Sequence, residues 1–167
     1  MRKRMLCLIL TAALLLGMGW MSPVTVRAAS ALTTSDNAIA VLKNMEGFSQ
    51  YPYKDQDLYY VGYGTTCPSG DLSRYQANGI TEEEATELMM VHVVKIEEAL
   101  NKFADQNGLK LTQNKFDALM LFSYNVGTAW LKETSDFRTA VLKGTAGNDF
   151  IYYMTRWCIS AGEINKG

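Results

Sequence analysis

Apolar residues recur along this chain with two different periods, and the changes of period divide it into elements. Ala38, Val41, Leu42 and Met45 keep helical spacing after Ser35, a residue able to cap a helix, and Gly47 follows as a stop; the pattern predicts a helix ending at about Glu46. Residues 48–66, FSQYPYKDQDLYYVGYGTT, are rich in Tyr and Gly, contain Pro52 and show no helical stripe, which predicts short hairpin strands. At Thr81-Glu82-Glu83-Glu84 a capping box opens a second helix. Ala85, Leu88, Met89, Ile96, Ala99, Leu100 and Phe103 continue its apolar face to about Ala104, with Gly108 beyond as a terminator. His92 falls beside that stripe and reads as a partly buried structural histidine. Thr112 caps a further helix with Phe116, Leu119, Met120 and either Phe122 or Ser123 facing inward, closed near Asn125-Val126-Gly127. Two shorter helices fit 134–143 and 147–159. The expected fold class is α+β: a mostly helical domain with one small sheet near its front.

The first 28 residues follow a different rule. Arg2, Lys3 and Arg4 precede an uncharged, strongly apolar run from Met5 to Trp20, and Val26-Arg27-Ala28 supplies a small-residue cleavage pattern. This is the layout of a secretory signal peptide, too short and too early in closing for a membrane anchor. Residues 29–167 then form the expected domain, 167 − 28 = 139 residues, enough for one hydrophobic core without staples. The chain has 16 Lys and Arg against 17 Asp and Glu; the four basic residues of 1–28 leave with the leader, so 12 face 17 and the balance turns acidic. A nucleic-acid partner is not expected of such a surface. Two cysteines, Cys67 and Cys158, remain in a protein read as exported, where they form a disulfide or stay as two separately buried thiols. With a single histidine they do not make a zinc site.

Glu46 stands out chemically. In the last turn of a helix an acid meets the negative end of the macrodipole, which disfavours the carboxylate and raises its pKa, as a proton donor near neutral pH requires. Asp55 lies nine positions later, on the predicted hairpin. A helix end and a hairpin can face each other across a cleft, and glycoside hydrolysis calls for such a pair: one protonated carboxyl for the leaving oxygen and one ionised carboxylate to activate water. Solvated surface glutamate and ordinary turn aspartate remain alternatives on spacing alone.

Longer words surround these two acids. Glu46-Gly47, Tyr53-Lys54-Asp55, Gly62-Tyr63-Gly64-Thr65, then Leu111-Thr112-Gln113-Asn114, Phe116-Asp117-Ala118-Leu119 and Phe122-Ser123-Tyr124-Asn125-Val126-Gly127-Thr128 occur in this order. The set resembles the phage-type lysozymes, glycoside hydrolase family 24, over most of residues 35–165. The resemblance implies a lysozyme-like domain with an active-site cleft, Glu46 as proton donor and Asp55 assisting water attack. It further implies peptidoglycan glycan strands as substrate, cut at the β-1,4 bond between N-acetylmuramic acid and N-acetylglucosamine. Thr66, Tyr124 and Asn125 match positions that line the glycan groove, while Tyr63, Gly62 and Gly64 read as structural.

Two departures accompany the resemblance. Tyr60 stands where most relatives carry a water-holding threonine, and the hairpin is one residue shorter than the commonest form; Tyr60 is therefore the third candidate catalytic residue, with a longer reach than threonine. After Gly162–Gly167 the family's usual final helix does not follow, as expected either of a truncated gene product or of a fragment of a longer sequence. The expectation is a secreted, monomeric muramidase that needs neither metal nor organic cofactor and has no stable membrane anchor after cleavage; the alternative is a catalytically impaired peptidoglycan-binding protein of the same fold.

Overall fold

The computed structural model describes residues 31–132, 135–157, 159–160 and 163–164, with side chains up to Arg156. The expected leader, Cys158 and the Gly162–Gly167 stretch lie outside these limits, apart from the backbone of 163–164.

Helix α1 spans Asp36–Glu46, capped at its start by the Ser35 hydroxyl, which accepts the Ala38 N–H, and stopped by Gly47 at φ 71°. The chain then runs up β1 (Ser49–Asp55), down β2 (Leu58–Gly62) and into the short β3 (Thr65–Thr66), an antiparallel meander in the order β1-β2-β3. Asp55 pairs with Leu58 across a two-residue turn, and Gln56 within it holds φ at 52°, the sole non-glycine residue with positive φ among those described. A bulge between Ser49 and Tyr53 bends β1, and beyond it Tyr53 faces Tyr60, which in turn faces Thr66.

A short helix that the apolar pattern did not reveal, α2 (Leu72–Asn78), connects the sheet to the long α3 (Glu82–Gln106), whose capping box between Thr81 and Glu84 is formed in both directions. Gly79 and Ile80 return to the sheet, where the Ile80 N–H donates to the Gln50 carbonyl at 2.8 Å. Helix α4 (Gln113–Val126) starts at the Thr112 cap and ends at Gly127. A single 3₁₀ turn (Ala129–Leu131), α5 (Asp136–Leu142) and α6 (Gly147–Trp157) follow. The helix expected to reach 159 stops at Trp157, and Ile159–Ser160 pairs as β4 with Glu163–Ile164 as β5.

The core gathers around α3, whose Ala85, Met89, Val93, Ile96, Leu100 and Phe103 are buried against Phe116, Leu119 and Met120 of α4. Trp130 sits at its far end, fully buried, with Phe103 and Phe137 edge-on at 5.7 and 4.8 Å and its indole N–H donated to Ser123 Oγ at 2.9 Å. Both Phe122 and Ser123 thus face inward. On α1 the buried residues are Ala38 and Leu42 alone; Val41 and Met45, expected in the same stripe, are 47% and 58% exposed because the neighbouring elements cover a narrower arc of this helix than its sequence offers. His92 also departs from expectation: it is exposed, on the rim of α3, with its ring edge-on to Tyr124 at 6.2 Å.

A close approach between sheet and helix fixes where the hairpin stands. Gly62, buried at φ 64°, faces Ala85 of α3 so closely that a Cβ on it would lie 2.6 Å from the Ala85 Cβ. Only glycine lets β2 settle there.

Candidate active site

The end of α1 delivers Glu46 to the open side of the sheet. Its start is held by α3 and α4: Asn101 brackets Leu32, accepting its N–H at 2.9 Å and donating to its carbonyl at 2.8 Å, and Glu97 accepts the Thr34 N–H at 2.6 Å. Asp117 then accepts both the backbone N–H and the hydroxyl of Ser35. With the cap pinned, a rigid helix of 11 residues carries the position of Glu46.

The Glu46 carboxyl is half-buried and has neither a hydrogen bond nor an ion pair with any described residue. Burial pushes its pKa above 4.5, the ordinary value. The direction is the one expected from the sequence, and desolvation is a cause that the sequence did not show. Gly64 makes the room: a Cβ there would lie 3.4 Å from Glu46 Oε2 and 4.0 Å from the Tyr53 hydroxyl. A residue that sequence reasoning passed over, Tyr53, is thereby brought beside the acid.

Asp55 is exposed at the end of β1. Strand alternation puts it on the face of β1 that carries Tyr53, two pairs nearer the turn. Tyr60 belongs to this face as well, stacked on Tyr53 with ring centroids 5.9 Å apart and planes 27° from parallel. The exposed Thr66 continues the row opposite Tyr60. The sheet therefore brings Asp55, Tyr53, Tyr60 and Thr66 onto one surface, next to which Glu46 arrives from α1.

From the opposite side comes α4. Tyr124 is half-buried, and its phenol pKa is raised by burial, then by the negative charge of Glu46, while an interaction with the Thr65 hydroxyl works the other way. Asn125 is exposed and donates its amide to the Leu121 carbonyl at 3.0 Å. Sequence reasoning chose Thr66 from this strand; Thr65, whose buried Oγ1 is near Tyr124, was missed, and its neighbour Val61 across the ladder is fully buried. Tyr63 is structural as expected: it is buried, with Lys43 over its ring at 5.3 Å and Phe48 against it at 5.6 Å.

Cys67, just beyond the sheet, is a buried free thiol, its pKa pushed up by desolvation. Its candidate partner Cys158 lies outside the described residues. No cluster of three or more potential metal-ligating His, Cys, Asp or Glu occurs among the described residues. An apolar groove of about 450 Å³ between α4, α5 and α6, lined by Phe122, Phe137 and Phe150, contains none of these site residues and no carboxylate. Glu46 and the sheet face that carries Asp55, Tyr53, Tyr60 and Thr66 lie outside that groove.

Residues 43–167 match the family model of phage lysozyme. The endolysin of Bacillus phage B103 is 29% identical over 141 residues, covering 81% of this chain and 49% of that protein. The endolysin of Bacillus phage PZA is 30% identical over 142 residues, with coverages of 80% and 49%. The chain thus spans about half the length of the curated relatives it matches. Among solved structures, the muramidase domain of SpmX from Asticaccaulis excentricus aligns with a TM-score of 0.58 and 25% identity over 78% of this chain and 84% of that one. The endolysin from Escherichia coli O157:H7 phage FAHEc1 aligns with a TM-score of 0.61 and 26% identity over 79% and 82%.

Proposed function

This chain belongs to the phage lysozyme family, and from that membership we propose that it hydrolyses peptidoglycan, cleaving the β-1,4 bond between N-acetylmuramic acid and N-acetylglucosamine. The observation that carries the reading is the Glu46 carboxyl, desolvated, unpaired among the described residues and set beside the sheet face that bears Asp55. In this reading Glu46 is protonated in the resting enzyme and gives its proton to the glycosidic oxygen as the bond from the anomeric carbon breaks. Asp55 accepts a proton from the water that adds to that carbon, and the proton later returns to Glu46 through solvent. Tyr60 supplies a hydroxyl for that water, and its stacking on Tyr53 supports a fixed ring orientation. Thr66, Tyr124 and Asn125 contact the glycan strand, whose pyranose faces and N-acetyl groups suit aromatic and amide partners.

The basic and apolar pattern of residues 1–28 supports export, which would bring the enzyme to its substrate as a secreted monomer. Zymography on bacterial cell walls, followed by mass spectrometry of the released fragments, tests the whole reading. Muramic acid at the new reducing ends is the expected product. Retention on walls without clearing would leave a binding protein of the same fold instead.

A further inference from the structure

The groove between α4, α5 and α6 changes character with depth. Its floor is apolar and buried, formed by Leu119 and Phe122 of α4 with Phe137 and Val141 of α5. Phe137 stands against Phe122 at 4.7 Å and against Phe150 of α6 at 5.4 Å, so the three rings continue one wall across all three helices. Its edge is exposed and basic. Lys110 comes from the segment before α4, Lys115 from the first turn of α4 and Lys143 from the residue that closes α5, and no carboxylate lines the groove.

That edge differs from the rest of the surface in charge. Residues 29–167 carry 12 basic against 17 acidic side chains, yet three lysines and no acid border this groove. The ion pairs among the described residues are those of Arg74 with Asp71 and Glu84, so none of the three lysines is neutralised by one of them. Lys115 also stands at the positive end of the α4 dipole, where an acid would be favoured and none is present. Three like charges from three segments raise the local potential, and the apolar floor beneath them strengthens its action on a bound anion. The volume, about 450 Å³, is that of a small-molecule site, largely apolar with a few polar groups to fix orientation.

We propose that this groove binds a single-chain anionic amphiphile, a medium-chain fatty acid, with its hydrocarbon tail on Leu119, Phe122 and Phe137 and its carboxylate at Lys110, Lys115 and Lys143. Tail and head select together. A short anion leaves the floor in water, and each methylene that the floor removes from water is worth roughly fourfold in affinity. A cation with the same tail is repelled at the edge. The site is separate from the surface around Glu46 and does not depend on the muramidase reading.

Calorimetric titration with laurate, kept below its micelle concentration, is the test. One laurate per chain is expected, with octanoate at least about tenfold weaker because four methylenes fewer are buried. Dodecanol and dodecyltrimethylammonium, which keep the chain length and lose the negative head, are also expected to bind at least about tenfold more weakly. Lys110→Glu combined with Lys115→Glu reverses two edge charges without opposing a helix dipole and lowers laurate affinity by at least about tenfold. Lys132→Glu, at an exposed lysine outside the lining, changes it less than about twofold. Ala118→Phe sets a ring into the groove from an exposed position of α4 and abolishes binding, with circular dichroism reporting that the variant is folded. Titration without saturation at one equivalent, dodecanol equal to laurate, or an unchanged laurate affinity in the double lysine variant would overturn the proposal. Association with phosphatidylglycerol vesicles but not with monomeric laurate would overturn it too, and would make this face a membrane contact instead.

Discussion

Ser35 and Asp117 are joined twice, by the Ser35 backbone N–H at 3.1 Å and by its hydroxyl at 2.7 Å, both donated to the Asp117 carboxylate. The same hydroxyl accepts the Ala38 N–H, so the cap of α1 and its attachment to α4 are one arrangement. Asp117→Ala removes two charge-assisted acceptors from a part-buried cap and is expected to cost about 2–3 kcal/mol. Urea denaturation measures the loss. Activity should fall further than the unfolded fraction explains, since Glu46 lies at the other end of the helix.

Glu46→Gln keeps the shape of the acid but removes its proton. Wall clearing is expected to fall by at least about 10²-fold, as loss of a general acid does. Stability should move the other way. The folded pKa is raised above 4.5, so the stabilising form is the protonated one, present at low pH and lost as pH rises from 4.5 through the folded value. At pH 7 the carboxylate is a burden that glutamine relieves, modestly because the group is only half-buried. Thermal melts should show Tm of Glu46→Gln above wild type at pH 7 and equal to it at pH 4 or below.

Tyr60 and Asp55 separate by their hydroxyl and charge. Asp55→Asn is expected to lower turnover by roughly 10- to 100-fold, less than loss of the acid, since water covers part of a positioning role. Tyr60→Phe keeps the stack on Tyr53 and reports on the hydroxyl alone; a several-fold drop in kcat with unchanged Tm is the expected result. Tyr60→Thr is expected to raise turnover if the shorter hydroxyl holds the water better, at some cost in hairpin stability.

Two backbone positions give opposite stability changes. Gln56 sits at positive φ in the turn of the hairpin, where a side chain costs roughly 1–2 kcal/mol. Gln56→Gly, after its own loss of chain entropy, should stabilise by about 0.5–1 kcal/mol. Gly62→Ala drives a methyl to within 2.6 Å of the Ala85 side chain at a positive φ, and a loss of about 2–4 kcal/mol is expected. Denaturation midpoints read both.

The elements that sequence periodicity exposed are those with local causes: Ser35, Thr81 and Thr112 cap the helices they were expected to cap, and Gly47 and Gly127 stop them. Helix α2 escaped because Leu72 and Tyr75 are too few to show a period in seven residues. The β4–β5 pair is two residues per strand and has no pattern to read. Val41, Met45 and His92 were misplaced for another reason, since a helical stripe shows which face is apolar but not how much of it the neighbours cover. At the site, carboxylates are conspicuous in a sequence, whereas Tyr53 comes near Gly64, and Thr65 near Tyr124 of α4, only through the folding of the sheet, which no local spacing encodes.

Helix α1 behaves as a ruler with one end in a vice. Eleven residues at 1.5 Å each span about 16 Å from the Asp117 clamp to the acid, and each residue also turns the axis by about 100°. An alanine inserted between Ala40 and Val41 would leave every clamp contact in place, yet swing Glu46 by that angle, away from Gly64 and out of its cover. The tolerance of this protein to change therefore depends on phase as well as chemistry: side chains on the outer face of α1 can be exchanged freely, but its residue count cannot.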